Sequence, residues 1–203
     1  MVTIYLMRHG ETTANADHQM QGWTNSPLTE RGSRGIREIG KNLTVNFDAA
    51  YSSDSGRAIE TAKLILSEMG LSDIEIHTDK RLREWSLGSF EMKSVSKVGG
   101  ALLPRALKKS HFRRPTFEDF AESLHDLDTT GETESWAQID TRIHSVMKDI
   151  INSEANEILV VSHGFFIATV LGMTKENTKA KFGMKNGQIF RILFSDGKFK
   201  LIE

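Results

Sequence analysis

Two apolar runs along this chain stop at the same kind of signal. Residues 2–7 lead into Arg8-His9-Gly10, and residues 158–161 lead into Ser162-His163-Gly164. Uninterrupted apolar runs of this length predict strands buried on both faces of a parallel sheet, and open α/β sheets bind ligands off the carboxyl ends of such strands. Both imidazoles are therefore expected in one crevice, reached from opposite ends of the sequence.

Between these runs, helical periodicity alternates with short strand-like stretches. Asn25-Ser26-Pro27 marks a turn ahead of a helix predicted over 29–43, where Ile36, Ile39 and Leu43 recur at helical spacing. Ala49–Ser52 predicts a strand and 55–69 a helix carried by Ile59, Ala62, Leu66 and Met69, with Gly70 as its stop. A further strand is expected at 74–77, and a helix over 134–151 with Ile139, Ile143, Val146, Met147 and Ile150 on one face. Residues 188–194 and 198–202 flank Asp196-Gly197, a two-residue hairpin signal, so the sheet should close on an antiparallel edge. From Lys93 to Leu127 the pattern predicts helical fragments broken by Gly99-Gly100, Pro104 and Pro115, an insertion over the sheet edge and not an independent domain. The expected fold is α/β: three layers, α/β/α, with a mostly parallel central sheet and a C-terminal antiparallel hairpin. Residues 1–203 are read as a single domain with the insertion at about 93–130.

Composition narrows the function classes. A chain of 203 residues can bury about 70% of its unfolded surface, enough for a sizeable core. With 26 Lys and Arg against 27 Asp and Glu there is no global field to attract nucleic acid or an anionic membrane, and neither is an expected partner. Zero cysteines exclude disulfides, thiolate nucleophiles and Cys-type zinc sites, and fit a reducing compartment. The first apolar run is too short for a signal peptide, and Ser162-His163-Gly164 interrupts the longest apolar stretch. A cytoplasmic protein without a membrane span is expected; oligomeric state is not specified.

The candidate chemistry lies in five ordered blocks: Leu6-Met7-Arg8-His9-Gly10-Glu11-Thr12 with Asn15; Gln21-Gly22-Trp23 and Leu28-Thr29; Ser52-Ser53 with Arg57 and Thr61-Ala62; Leu82-Arg83-Glu84 with Gly88 and Glu91; and Ser162-His163-Gly164. Together they resemble the histidine phosphatase superfamily, collinearly over nearly the whole chain, nearest to the phosphatase branch related to the cofactor-dependent phosphoglycerate mutases. The resemblance implies a helical insertion over the active site, phosphoryl transfer through His9, Glu84 as acid, and Asn15 with the Gln21-Gly22 loop as neutral donors. It implies a small phosphorylated metabolite as substrate, with no cofactor and no metal.

The residue types suit that chemistry on physical grounds. A phosphomonoester repels anionic nucleophiles, so a neutral imidazole among cations is a sensible attacker, and positioning with charge stabilisation supplies most of the catalysis. His9 is that attacker, with Arg8 and Arg57 gripping equatorial oxygens through paired donors in place of a metal. His163 and the Gly164 amide add donors if the following helix points its N-terminus into the crevice. Gly10 and Gly22 are expected to let backbone approach the phosphate. Glu84 must be protonated to release the alkoxide, which requires burial, or a like charge such as the arriving phosphate dianion, to outweigh Arg8, Arg57 and Arg83; the competing reading of Arg83-Glu84 is an exposed ion pair.

Other residues keep two readings. Trp23 and Trp85 either wall the pocket or pack beneath its loops. Arg105, Lys108, Lys109, Arg113 and Arg114 form either a solvated face or a patch for an acidic substrate tail. Glu11 orients Arg8 or its loop, and His18, His77, His111, His125 and His144 lack metal-like spacing. Met92 stands where relatives commonly carry glycine, which puts the backbone course beyond Glu84 in question. Three functions follow: a metal-independent phosphatase, a mutase-type phosphotransferase, and an inactive anion-binding regulatory module. The chain lacks the long basic and aromatic insertion typical of mutases, which favours hydrolysis.

Overall fold

The computed structural model describes residues 1–174 and 183–202. Among them six strands form one sheet: β1 (Val2–Arg8), β2 (Ala49–Ser52), β3 (Ile76–Thr78), β4 (Glu157–Ser162), β5 (Ile189–Ser195) and β6 (Lys198–Leu201), in the order β3-β2-β4-β1-β5-β6. The β3, β2, β4 and β1 strands are mutually parallel, while β5 and β6 add antiparallel pairs at the β1 side. Asp196 (φ +51°) and Gly197 (φ +71°) make the tight turn of that closing hairpin, both in the left-handed region that such two-residue loops require.

Alternate side chains of the central strands enter two cores, as the unbroken apolar runs predict. Ile158 and Val160 of β4 and Ile4 and Leu6 of β1 pack into one, and Leu159, Val161 and Met7 into the other. The α-helices among the described residues are α1 (Thr13–Ala16), α2 (Glu30–Asn42), α3 (Gly56–Glu68), α4 (Val95–Lys109), α5 (Phe117–Leu127), α6 (Trp136–Ile151) and α7 (Gly164–Gly172). The α6 and α7 helices cover the first core, with Ile139, Ile143, Val146, Met147, Ile150, Phe166, Ile167 and Val170 in it, while α2 and α3 cover the second through Ile36, Ala58, Ala62, Ile65 and Leu66. The result is a three-layer α/β/α fold. No helix among the described residues is long and apolar enough to cross a membrane.

Helix ends follow local chemistry. Thr29 caps α2 by accepting from Gly32 N, Thr116 and Ser135 form capping boxes ahead of α5 and α6, and Gly70 follows α3 at φ +72°. The third strand sits two residues later than its predicted start, at Ile76–Thr78.

The insertion differs more from expectation. The α4 helix runs unbroken through Gly99-Gly100 and Pro104, and only Pro115 lies outside a helix. Two interior glycines and a proline cost about 5 kcal/mol of helix propensity, at about 1 kcal/mol per glycine and 3 for proline. Val98, Leu102 and Ala106 lie on one face and are buried, with α5 packed against α4, while Gly99, Gly100 and Pro104 lie on the exposed side. Burial of a Val or Leu side chain contributes about 1.5–3 kcal/mol, so this face offsets the propensity loss.

Candidate active site

Sheet register brings the two histidines together. Arg8 is the partner of Ser162 at the carboxyl ends of adjacent β1 and β4, and His9 N donates to Ser162 O at 3.0 Å. The His9 and His163 ring centroids lie 5.1 Å apart, and both rings are buried. His9 Nδ1 is 2.7 Å from Gly10 O, which can only accept, so Nδ1 carries the proton and Nε2 the lone pair. His163 has the opposite tautomer: Arg57 Nη2 donates to its Nδ1 at 3.0 Å, leaving the proton on Nε2.

Arg57 projects from the first turn of α3 and is 1% exposed. Its Nη1 donates to Thr24 O at 2.8 Å and Asn25 Oδ1 at 3.4 Å, and Nη2 also reaches Gly22 O at 2.7 Å. Burial lowers its pKa to about 10, which still leaves the guanidinium charged at neutral pH. Arg8 donates from Nη1 to Met184 O, and burial lowers its pKa against the opposing pull of Glu84. Burial, then Arg57, holds both histidines well below the ordinary imidazole range, so both are neutral at pH 7. Three buried donors, Arg8 Nε, Arg57 Nε and His163 Nε2, have no partner among the described residues.

Glu84 is buried, and its carboxylate caps α7. Phe165 N donates to Oε2 at 3.0 Å, and Phe166 N and Trp85 N donate to Oε1 at 2.9 and 3.1 Å. An internal carboxylate thus takes the Phe165 and Phe166 amides in the first turn of α7. Gly164 still lines the cavity, and a Cβ placed there would lie 3.6 Å from Glu84 Oε2 and 3.7 Å from Arg8 Nε. Burial raises the Glu84 pKa, outweighing the three amides and Arg8. Arg83 does not pair with Glu84; it grips Asp54 with two bonds of 2.6 Å.

A cavity of about 390 Å³ opens beside these groups, and its polar lining includes Arg8, His9, Asn15, His18, Gln21, Glu84 and Asn186. Its apolar lining is Met20, Leu87, Val95, Phe165, Ala168 and Met184. Arg57 and His163 are not among the lining residues; Arg57 bonds His163, whose ring lies 5.1 Å from that of His9. Val95, at the start of α4, is the described insertion residue that reaches the cavity, and none of Arg105, Lys108, Lys109, Arg113 and Arg114 does. Arg105 and Lys109 pair with Asp126 at 3.5 and 3.0 Å.

The neutral donors divide. Asn15 Oδ1 accepts from Thr12 N and from Asn186 Nδ2, which orients the amide. Gln21 is held by Thr12 Oγ1 and Ser26 Oγ at 2.9 Å each. The Gly22 amide is taken by Glu91, whose carboxylate also accepts from Trp23 N and Thr24 N. A Cβ at Gly22 would fall 2.4 Å from Glu91 Oε1, so the close approach this glycine permits is to that carboxylate. Gly10 likewise serves packing, since a Cβ there would meet Ile36 Cγ1 at 2.9 Å.

Other expectations resolve by contact. Trp85 packs beneath the loops, stacked on Phe165 with centroids 4.9 Å apart, while Trp23 donates Nε1 to Glu84 O beneath the Arg83 guanidinium. Glu11 binds Thr29 and Arg31, and so orients its loop and not Arg8. Met92 has φ +57°, the left-handed conformation a glycine favours. Exposed His18 sits at the cavity rim. Among the described residues no group of three or more His, Asp or Glu is placed to hold a metal ion. Sequence reasoning missed Asn186, whose Nδ2 reaches His9 O at 3.1 Å, and Met184; both act across more than 170 residues and carry no local signal.

Known proteins share this fold. The family model described as Histidine phosphatase superfamily (branch 1) matches residues 4–203. The chain is 27% identical over 202 residues to the probable phosphoglycerate mutase GpmB of Enterobacter sp. (strain 638), covering 97% of this chain and 86% of that protein. The crystal structure of phosphoglycerate mutase from Bacillus anthracis superposes with a TM-score of 0.88 at 34% identity, covering 99% of this chain and 91% of the other. A phosphoserine phosphatase from Entamoeba histolytica superposes with a TM-score of 0.75 at 28% identity, covering 100% and 96%. With Arg8 and His9 lining the cavity, His163 and Arg57 beside them, and a family match over nearly its whole length, the chain belongs to the histidine phosphatase superfamily.

Proposed function

We propose that the protein is a phosphatase that hydrolyses small phosphomonoesters through a phosphohistidine on His9, without a metal ion. His9 Nε2 attacks phosphorus as the ester P–O bond breaks, and the Glu84 carboxyl gives its proton to the departing alkoxide. Water then loses a proton to the Glu84 carboxylate and attacks phosphorus, the P–N bond breaks, and His9 is regenerated. Arg8 and Asn15, which line the cavity, hold the equatorial oxygens, Arg57 and His163 support them from beside His9 with charge and a buried donor, and Gln21, Gly22 and Gly164 shape the loops around them.

The observation that carries this reading is the set of three buried, unpartnered donors beside a neutral His9. Buried N–H groups without partners are rare and costly, and an oxyanion at His9 would give Arg8 Nε, whose residue lines the cavity, the acceptor it lacks. The raised pKa of Glu84 supports the acid role. A mutase-type phosphotransferase is the second reading, carried by the names of the relatives from Enterobacter and Bacillus anthracis. Against it stands the cavity lining, in which Arg8 is the single Lys or Arg among the described residues; a bisphosphorylated intermediate calls for more cations.

The test is phosphate release from 4-nitrophenyl phosphate in the presence of chelator, which is expected to persist and to vanish in His9→Ala. Phosphoglycerate interconversion dependent on a bisphosphorylated primer would establish the mutase instead. Phosphate analogues that bind without turnover across a substrate panel would leave an anion-binding module.

A further inference from the structure

The segment that carries Glu84 has little regular structure of its own: a single turn at Lys80–Leu82 precedes it and another at Gly88–Phe90 follows. Trp23 Nε1 holds Glu84 O and Ser162 Oγ holds Leu82 O, and one guanidinium makes three more bonds to the segment's main chain. Arg142, in the second turn of α6, donates from Nη1 to Arg81 O at 3.0 Å and Arg83 O at 2.9 Å, and from Nη2 to Glu84 O at 2.9 Å. Its Nε and remaining Nη2 hydrogen go to Glu134 at 2.5 and 2.8 Å. All five guanidinium donors are thus engaged. Glu134 completes the clamp by accepting from Ser86 N at 3.0 Å, two residues beyond Glu84. Both side chains are largely buried, at 14% and 13% exposure.

We infer that Arg142 and Glu134 are positioning residues for proton transfer, fixing the backbone of residues 81–86 so that the Glu84 carboxyl is held at the reacting ester oxygen. The inference rests on the reading of Glu84 as the acid. The clamp acts on the main chain at Glu84 while α7 holds the carboxylate, so the group is fixed at both ends. Three carbonyls and a carboxylate converge on a planar fork, a geometry a lysine ammonium cannot reproduce. Neither residue lines the cavity, so both act through Glu84 and not on the substrate.

The experiment compares Arg142→Lys, Glu134→Gln and Glu84→Gln on propyl phosphate and 4-nitrophenyl phosphate, with kcat and KM separated and each variant's melting curve recorded. A displacement of about 1 Å at a catalytic group costs about 100-fold, so Arg142→Lys is expected to lower kcat for the alkyl ester by about that factor. The aryl ester, whose leaving group needs little protonation, should lose at least tenfold less, with KM changed by less than about twofold for either substrate. Glu134→Gln should move the alkyl-to-aryl ratio the same way by a smaller factor, and it decides the matter if Arg142→Lys does not fold. Equal losses on both esters, or losses confined to KM, overturn the inference while leaving Glu84 in place if Glu84→Gln alone discriminates. If Glu84→Gln also slows both esters equally, the acid assignment itself falls and the clamp's catalytic role with it.

Discussion

Arg57 Nη2 stands 3.0 Å from His163 Nδ1, and because a guanidinium only donates, this contact fixes both the tautomer and the neutrality of His163. The proton is left on a buried Nε2 with no partner among the described residues. Histidine side-chain 15N NMR is expected to show His163 as the Nε2–H form and His9 as the Nδ1–H form. Arg57→Lys keeps the charge but cannot serve Gly22 O, Thr24 O, Asn25 and His163 together, so kcat/KM on an aryl phosphate should fall about 100- to 1,000-fold. A loss under about threefold would remove Arg57 from the anion site.

The pH profile follows from two opposed shifts. His9 must be the free base, and burial with Arg57 and Arg8 drives its pKa well below 6.5; Glu84 must be protonated, and burial raises it above 4.5. Activity should therefore fall on the acid side only well below pH 6.5, and on the alkaline side as Glu84 ionises, giving a bell for kcat/KM. Glu84→Gln should abolish the alkaline limb and slow alkyl phosphates about 100- to 10,000-fold, with far smaller loss on aryl esters. An alkaline limb that survives in Glu84→Gln would belong to another group.

Stability should depend on pH with a definite sign. Unfolded histidines take up protons near pH 6.5, whereas buried His9 and His163 resist protonation until much lower pH. Between those limits the unfolded chain binds more protons, so stability is complete above pH 6.5 and declines as pH falls. Each histidine contributes a slope of up to about 1.4 kcal/mol per pH unit. The raised Glu84 pKa works oppositely, favouring the fold as pH drops through its titration. Urea midpoints from pH 7 to 5 should fall less steeply for His163→Gln than for the parent; parallel curves would refute the assignment.

Met92 is a local weakness. A left-handed non-glycine residue costs about 1–2 kcal/mol, and glycine returns about 0.5–1 kcal/mol of that as unfolded-state entropy. Met92→Gly should thus stabilise by about 0.5–1 kcal/mol, since the side chain is 37% exposed and φ is +57°. Urea denaturation with an unchanged slope is the measurement, and a destabilised variant would mean that the methionine side chain contributes packing the strain conceals.

What the sequence made legible was local or periodic. The apolar runs before His9 and His163 foretold strands buried on both faces, Thr29 and Gly70 marked helix ends, and Asp196-Gly197 marked the hairpin. The α4 helix was misjudged because its glycines and proline were weighed without the buried face of Val98, Leu102 and Ala106, whose partner helix lies elsewhere in the chain. In the site, the residue types of Arg8, His9, Arg57 and Glu84 suggested the chemistry, but their supports did not show. Asn186 and Arg142 bind main-chain atoms, and Met184 offers its own carbonyl to Arg8; a backbone group has no residue identity, so nothing in the pattern betrays such partners.

The antiparallel edge makes the early imidazole depend on residues more than 170 positions away. The strand leading to His9 is flanked by β5, Gly187 N donates to Arg8 O, and Asn186 ties His9 O to Asn15. Ribosomes translate His9 long before these restraints, so the surroundings of its ring are set only once β5 has docked beside β1.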